Sequence, residues 1–254
     1  MEFTADKKTV TVTDYEVKNG LLVFTFDGIG PHRINLTVDA VLKFGDEALD
    51  EKRDFSAEKY CLEASEIYKE DKELISLIDS IVLYAKAAAE YMGLDASVLF
   101  KGYEPKASDI APKEEDNALL IDGNDTPDLY VYSLGVHFDT VNRIYAKIYS
   151  QDVSFTVSFN GTMVDLDDVV SLGDGLYIVY SAPILPTQFD INGLQKISVC
   201  GEDGALLTTV EYTVNTYAYY MATSDSTSPE MKALANALYR YGASAKAYAQ
   251  KSAI

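Results

Sequence analysis

Two stretches of the chain show the hydrophobic period of an amphipathic helix. Apolar residues recur at spacings of three and four over residues 74–92 and again over residues 231–249, which predicts one buried face on each helix. A shorter helix is predicted before each of them, at residues 57–69 and 214–223. Side chains suited to an N-cap stand ahead of all four helices: Ser56, Asp71, Thr213 and Ser228.

The two helical pairs are similar to each other in sequence. Residues 55–91 align with residues 212–248 at a constant offset of 157 and without a gap. Tyrosines match at three places in this alignment: Tyr60 with Tyr217, Tyr84 with Tyr241, and Tyr91 with Tyr248. Such self-similarity predicts an internal duplication, in which each copy passes from strands into a helical pair.

The segments ahead of the helices alternate Val, Ile and Tyr with polar residues, as strands do. Hairpin turns are indicated at Asn19-Gly20, Asn160-Gly161 and Asp174-Gly175. The predicted strands are residues 10–13, 21–26, 34–38, 40–44, 129–138, 142–149, 154–159, 176–180, 196–199 and 206–211. We therefore predict an α+β fold of two pseudo-repeated units. Each would hold antiparallel, sandwich-like β-structure followed by a helical pair, and the first unit would have the smaller sheet.

The predicted organisation has three parts. Residues 1–92 form the first unit and residues 127–254 the second. Residues 93–126 show little periodicity and contain the charged run Lys113 to Asp116, so we interpret them as an acidic connector.

Charge limits the partners of the chain. It holds 40 acidic and 21 basic residues, a formal net charge of −19. A strongly negative protein repels nucleic acid and anionic membranes, so no nucleic-acid partner is expected. No apolar run reaches the roughly 18 residues that span a bilayer, and no membrane insertion is expected.

The residues that usually carry chemistry are few and scattered. His32 and His137 stand alone, and the two cysteines, Cys61 and Cys200, are interpreted as buried thiols. None of the common catalytic or nucleotide-binding motifs is present. We therefore predict no catalytic residues, no enzyme activity and no cofactor.

Two acidic segments are candidate metal sites. Residues 122–128 alternate Asp and Asn in a manner that could supply oxygen ligands to calcium, and Asp165, Asp167 and Asp168 form a second acidic turn. Both lack the spacing of an EF-hand loop, so we interpret them as solvated turns and predict no metal ligands.

Tyrosine offers the strongest indication of a binding surface. The chain has 19 tyrosines, and an exposed tyrosine can anchor a protein interface. Positions that are alike in both copies are expected to serve the core that the copies share. Positions that differ are therefore better candidates for binding. Tyr68, Tyr219 and Tyr220 are such residues, since they align with Asp225, Leu62 and Glu63. They are the predicted binding residues.

The motif Leu238 to Ala243 (LYRYGA) and the segment Val141 to Tyr145 (VNRIY) resemble a known module. Helices and strands of this kind occur in secreted, cell-surface and cellulosome-associated proteins of gut Clostridia of the Ruminococcus type. The resemblance covers about residues 60–250 and carries no catalytic residues. The first unit departs from the pattern, because Ala85 replaces the helix glycine and the early strands are fewer. Its sheet is expected to be incomplete or to borrow a strand.

The resemblance implies an extracellular or cell-surface module within a larger, multi-modular chain. We expect a non-catalytic binding or adhesion module that recognises a host protein, immunoglobulin included, or a glycoprotein. A glycan-binding module and a structural spacer remain alternatives. A glycan-binding module should show a groove with two roughly coplanar aromatic faces, whereas a spacer should show no binding surface.

Overall fold

The fold combines helices with antiparallel sheets, as predicted for an α+β protein. The computed structural model describes residues 1–106, 110–117, 119–123, 126–151, 154–202 and 204–252. The chain forms two compact units. We name them the N-terminal unit, Met1–Ala107, and the C-terminal unit, Ser108–Ile254.

The N-terminal unit contains two small sheets and one helical pair. The first sheet has the strand order β2-β1-β5-β6, and the second is a hairpin of β3 and β4. Over residues 1–106 the elements are β1 (Glu2–Ala5), β2 (Lys8–Thr11), β3 (Glu16–Lys18), β4 (Leu21–Val23), β5 (Val38–Phe44), β6 (Glu47–Phe55), α1 (Ala57–Ile67) and α2 (Lys72–Tyr91).

The C-terminal unit contains two larger sheets and a second helical pair. Its sheets have the strand orders β11-β10-β14-β15-β7 and β12-β13-β9-β8, and all described pairings are antiparallel. Its described elements are β7 (Leu120–Gly123), β8 (Leu129–Phe138), β9 (Asn142–Ser150), β10 (Phe155–Phe159), β11 (Thr162–Met163), β12 (Val170–Gly173), β13 (Leu176–Tyr180), β14 (Gln195–Gly201), β15 (Leu206–Tyr212), α3 (Val214–Thr223) and α4 (Pro229–Ser252).

The helices begin where the caps were predicted, and the caps correspond between the units. The hydroxyl of Ser56 accepts a hydrogen bond from the amide of Lys59, and that of Thr213 accepts one from the amide of Thr216. The long helices begin in the same manner, since the amides of Leu74 and Met231 donate to the side chains of Asp71 and Ser228. All four bonds satisfy amides of a first turn that have no partner within the helix.

The elements ahead of the helices also follow one order in both units. The β3–β4 turn at Asn19-Gly20 and the β12–β13 turn at Asp174-Gly175 have positive φ angles at both residues, as a two-residue hairpin turn requires. A 3₁₀ turn follows each hairpin, at Pro31–Arg33 and at Pro186–Gln188. The strand order β2-β1-β5-β6 then matches β11-β10-β14-β15.

Three strands of the C-terminal unit have no counterpart in residues 1–106. Strand β7 adds to the edge of β15, while β9 pairs with β13 and carries β8 on its other side. The sheet of the N-terminal unit is therefore the smaller one, as expected.

Several strand predictions need correction. Residues 34–38 were predicted as a strand, but the 3₁₀ turn at Pro31–Arg33 precedes them and β5 begins only at Val38. Six strands were not predicted: β1, β3, β6, β7, β11 and β12. All nine residues of β6 are exposed, so this strand needs no apolar face. Its sequence, EALDEKRDF, accordingly does not alternate apolar and polar side chains.

The core of the C-terminal unit lies against both of its sheets. Alternate residues of β9 are buried, namely Ile144, Ala146 and Ile148. The rings of Phe155 in β10 and Tyr177 in β13 lie 5.3 Å apart, so side chains of the two sheets meet. The arrangement is compatible with a β-sandwich.

The core of the N-terminal unit is formed by helices and by part of the predicted connector. Leu99 and Phe100 are buried in one cluster with Ile78 and Val82 of α2. The backbone amide of Phe100 donates to the carboxylate of Glu58. The predicted connector, residues 93–126, is thus divided between the units: residues 93–106 complete the N-terminal core, and residues 120–123 form β7.

A close contact explains why the two long helices differ at one small residue. A Cβ atom placed on Gly242 of α4 would lie 2.7 Å from the ring of Phe189, closer than two carbon atoms can approach. The equivalent residue of α2 is Ala85, which is buried in a cluster against which Ile34 packs. Ile34 and Phe189 each follow the 3₁₀ turn of their unit, so the larger ring is paired with the smaller helix residue.

Candidate functional site

An apolar groove in the C-terminal unit contains one of the predicted binding residues. It has a volume of about 370 Å³ and lies among β7, β8, β15 and α3. Its lining residues are Leu119, Ile121, Val131, Tyr132, Ser133, Leu134, Thr208, Val210, Tyr212, Tyr220, Met221 and Ser224.

The two strands that border the groove are edge strands. Strand β7 ends the five-stranded sheet and β8 ends the four-stranded sheet. An edge strand presents backbone N–H and C=O groups that its own sheet does not pair. At the start of β8, the hydroxyl of Thr126 accepts a hydrogen bond from the amide of Leu129 at 3.1 Å.

A β-bulge brings a tyrosine to the groove. The pairing of β8 with β9 shifts between Val131 and Ser133, so Tyr132 lies outside the regular ladder. A bulge redirects the side chains around it, and Tyr132 is largely exposed while it lines the groove.

Helix α3 contributes the wall that carries Tyr220. The ring of Tyr217 packs on Phe138 of β8 at 5.6 Å, which places the helix against the sheet. Tyr220, one helical turn later, lines the groove, and its hydroxyl accepts a hydrogen bond from the side chain of Asn117 at 3.2 Å. Burial raises the pKa of Tyr212 at the base of the groove, with Tyr217 adding to the effect, so this phenol is neutral at physiological pH.

The electrostatic character of the groove differs from that of the chain. None of the residues that line it is charged, whereas the chain has a formal net charge of −19. Its polar groups are hydroxyls of Ser, Thr and Tyr, which can form hydrogen bonds with a neutral ligand. The groove therefore suits an uncharged, partly apolar ligand.

The three predicted binding residues do not lie in the same unit. Tyr219 and Tyr220 are adjacent and half-buried, and their rings meet edge-on at 5.9 Å. Tyr220 lines the groove, but Tyr219 does not. Tyr68 lies in the N-terminal unit, where it ends α1 and is exposed.

Most of the groove could not be identified from the sequence. Ile121 lies in the segment interpreted as a connector, although the run Leu119-Leu120-Ile121 was an apolar signal within it. Tyr132 reaches the groove because of a bulge, and no residue pattern in this segment indicates one. Met221 directly follows Tyr220 on the predicted helix, so its position next to a predicted binding residue could have indicated it.

The other residues considered for chemistry lie apart from the groove. The side chain of His137 is partly exposed and lies 4.0 Å from Asp139. Cys61 is buried and Cys200 half-buried; burial, with a smaller effect of Glu58, raises the pKa of Cys61 to about 11. Asp165 accepts a hydrogen bond from the amide of Asp167 and caps a 3₁₀ turn.

Neither a metal site nor a membrane span is found among the residues that the structure describes. No group of three or more His, Cys, Asp or Glu side chains is placed to hold a metal ion there. Asn124 and Asp125 of the acidic segment 122–128 lie outside the described residues, whereas Asp122 belongs to β7. None of the described helices combines the length and the apolar character needed to cross a bilayer.

Comparison of the chain with protein-family models, with curated proteins and with solved structures gave no match.

Proposed function

We propose that this chain is a non-catalytic binding module of an extracellular or cell-surface protein, and that it recognises a host protein. The groove beside Tyr220 carries the proposal. It is uncharged within a strongly acidic chain, and it lies between two edge strands. The ligand would be an extended segment of the host protein with apolar side chains.

The edge strands support an extended ligand. A peptide can add to an exposed sheet edge through its backbone, while pockets accept its alternate side chains. Strand β7 offers such an edge, and Ile121 of β7 and Tyr132 of β8 line the groove next to it. The hydroxyl of Tyr220 is available on the opposite wall for a backbone carbonyl or amide.

The geometry of two aromatic pairs favours a protein over a glycan. Binding of sugar rings by stacking calls for aromatic faces that lie roughly in one plane. The rings of Tyr219 and Tyr220 are inclined by 67°, and those of Phe55 and Tyr60 by 48°. Neither pair provides such a platform.

The extracellular setting rests on the sequence resemblance of residues 238–243 and 141–145 to modules of gut Clostridia. That setting determines which ligands should be tried first. Serum proteins, immunoglobulin, mucin and plant polysaccharides are the relevant set, because a gut surface protein would meet all of them.

The test uses a matched pair of variants. Ile121→Asp places a charge in the groove on edge strand β7, and Leu172→Asp places one on edge strand β12, away from the groove. Both side chains are exposed, so both variants should fold. Binding of each purified ligand to the immobilised chain would be measured by surface plasmon resonance.

We expect a protein ligand whose affinity falls at least about tenfold with Ile121→Asp and is unchanged with Leu172→Asp. Tyr220→Ala should weaken the same ligand. Binding of polysaccharide alone, or a protein ligand that is equally affected by both Asp variants, would contradict the proposal. Absence of binding across the whole set would favour the structural spacer.

A further inference from the structure

Over the described residues 1–106, two strand edges of the N-terminal unit have no strand beside them, although their counterparts in the C-terminal unit do. In the C-terminal unit, β13 pairs with β9 and β15 pairs with β7. The corresponding strands of the N-terminal unit are β4 and β6. Within residues 1–106, β4 pairs only with β3, and β6 pairs only with β5.

The aromatic residues next to these edges are uncovered as a result. Tyr217 is 7% exposed beneath Phe138 of β8, whereas its counterpart Tyr60 is 62% exposed. Tyr212 is 4% exposed, whereas its counterpart Phe55 is 42% exposed. The rings of Phe55 and Tyr60 lie 6.5 Å apart and form one exposed aromatic surface.

The C-terminal unit shows which chemistry covers such a surface. The β8–β9 hairpin turns Ile144, Ala146 and Ile148 toward the core and places Phe138 on Tyr217. Its two strands contain Arg143 and Lys147 but no Asp or Glu. The cover is thus an apolar hairpin with a positive charge.

The charge of the N-terminal unit is complementary to such a hairpin. Residues 1–106 hold 21 acidic and 13 basic side chains. Strand β6 itself carries four acidic residues, Glu47, Asp50, Glu51 and Asp54, against Lys52 and Arg53. A basic partner would be attracted to this acidic unit, whereas a second copy of the acidic chain would be repelled.

We infer that the N-terminal unit is an acceptor for a β-hairpin of another polypeptide. The hairpin would pair antiparallel with β4, as β9 pairs with β13, and would place an aromatic or aliphatic side chain on Tyr60. It is apolar on the face toward α1 and carries Lys or Arg elsewhere. This site is separate from the groove of the C-terminal unit and does not depend on the function proposed for that groove.

The test uses the chain's own hairpin as the probe. A synthetic peptide of residues 127–151 would be titrated into the full 254-residue chain by calorimetry. The control peptide carries Phe138→Asp and Ile144→Asp. We expect the unaltered peptide to bind with one site per chain, to bind at least about tenfold more tightly than the control peptide, and to slow amide hydrogen exchange in β4 and α1.

Variants of the acceptor locate the site. Tyr60→Ala and Phe55→Ala should each weaken the peptide at least about tenfold. Tyr68→Ala is the matched control. This tyrosine belongs to the same helical pair and is exposed, but it aligns with Asp225 and so does not correspond to an aromatic ring that is covered in the C-terminal unit. It should leave the affinity unchanged. All three side chains are exposed, so the variants should remain folded.

A second measurement guards against poor solubility of the free peptide. Residues 127–151 would be joined ahead of Met1 through a Gly-Ser linker, which raises the effective concentration of the hairpin. Exchange in β4 and α1 should slow in this chain and return to the original rate with Tyr60→Ala. Unchanged exchange in both experiments would overturn the inference, as would a dimer of the 254-residue chain that buries Tyr60.

Discussion

The two units carry a tyrosine at the aligned positions 60 and 217 and bury it to different degrees. Tyr217 belongs to the core of the C-terminal unit, while Tyr60 is mostly in contact with solvent. The helices around them begin with the same caps and follow similar turns. The difference comes from β8, which packs on Tyr217 and has no counterpart in the described residues 1–106. A tyrosine at a helical position is therefore a core residue or a surface residue according to what packs on it.

The comparison also shows how paired substitutions maintain one packing arrangement. Gly242 lies against the ring of Phe189, and the equivalent Ala85 belongs to a cluster that includes Ile34. The volume added at the helix in one unit is removed from the facing turn. Cores tolerate such exchanges when the total volume is conserved.

The largest expected effect concerns the two tyrosines. Tyr217→Ala should lower the free energy of unfolding of the C-terminal unit by about 3–5 kcal/mol, since it removes a buried aromatic ring. Tyr60→Ala should change that of the N-terminal unit by less than about 0.5 kcal/mol. Hydrogen exchange measured by mass spectrometry during urea unfolding would report on α3 and α1 separately. Equal losses of unfolding free energy in both units would contradict the conclusion that Tyr217 is covered by β8 while Tyr60 is exposed.

An intermediate effect is expected at the helix glycine. Gly242→Ala should cost about 1–3 kcal/mol, because the new methyl group would collide with Phe189. In a chain that already carries Phe189→Ile, the same change should cost less. The coupling energy from this double-mutant cycle measures the contact directly. Additive costs would show that the ring of Phe189 is not what requires glycine.

The caps test the similarity of the units rather than their difference. Ser56→Ala and Thr213→Ala should each cost about 1 kcal/mol, as the loss of an N-cap hydroxyl usually does. Both hydroxyls accept from the amide three residues later, and both residues are buried. Thermal unfolding followed by circular dichroism, with Ser→Thr and Thr→Ser as conservative controls, would check the values. A loss of stability in only one of the two variants would show that the caps of the two helical pairs are not equivalent.

A further difference is expected in the pH dependence of the N-terminal unit. Burial, with Glu58 adding a smaller effect, raises the pKa of Cys61 from 9.0 to about 11. The folded state therefore favours the neutral thiol. This contribution to stability is complete below about pH 9 and is lost as the pH rises toward 11. Urea unfolding between pH 8 and 11 measures this loss. The free energy of unfolding should decline less steeply with pH in the Cys61→Ala variant than in the unaltered chain.

Tyr103 provides the control for that experiment. Burial and its hydrogen bond to Asp79 raise the pKa of this phenol as well, so it contributes with the same sign at higher pH. Tyr103→Phe should remove the later part of the decline and leave the earlier part. If Cys61→Ala does not alter the decline above pH 9, the thiol is not the group that titrates.

The helices could be predicted from sequence because their signals are local. A cap, a first turn and an apolar stripe all lie within one segment, and the helix predicted over residues 214–223 is observed as Val214–Thr223. The hairpin turn at Asn19-Gly20 is local in the same sense, since its positive φ angles suit these residue types.

Features that depend on partners distant in sequence could not be predicted. Strand β6 pairs with β5 through its backbone, while its exposed, charged side chains show no strand pattern. Strand β7 forms because β15 offers an edge, not because residues 120–123 favour a strand strongly. The groove exists where these distant strands meet, so only Tyr220 of its lining was among the predicted residues.

The charges on β6 have a consequence for how the protein behaves in concentrated solution. A nine-residue edge strand is a template on which another copy could continue the sheet, and such growth leads to aggregates. Glu47, Asp50, Glu51 and Asp54 of two facing copies repel each other at low ionic strength. Salt shortens the range of that repulsion. The solubility of the chain should therefore decrease as salt is added, and the shelf life of a stock solution would depend on its buffer as much as on its temperature.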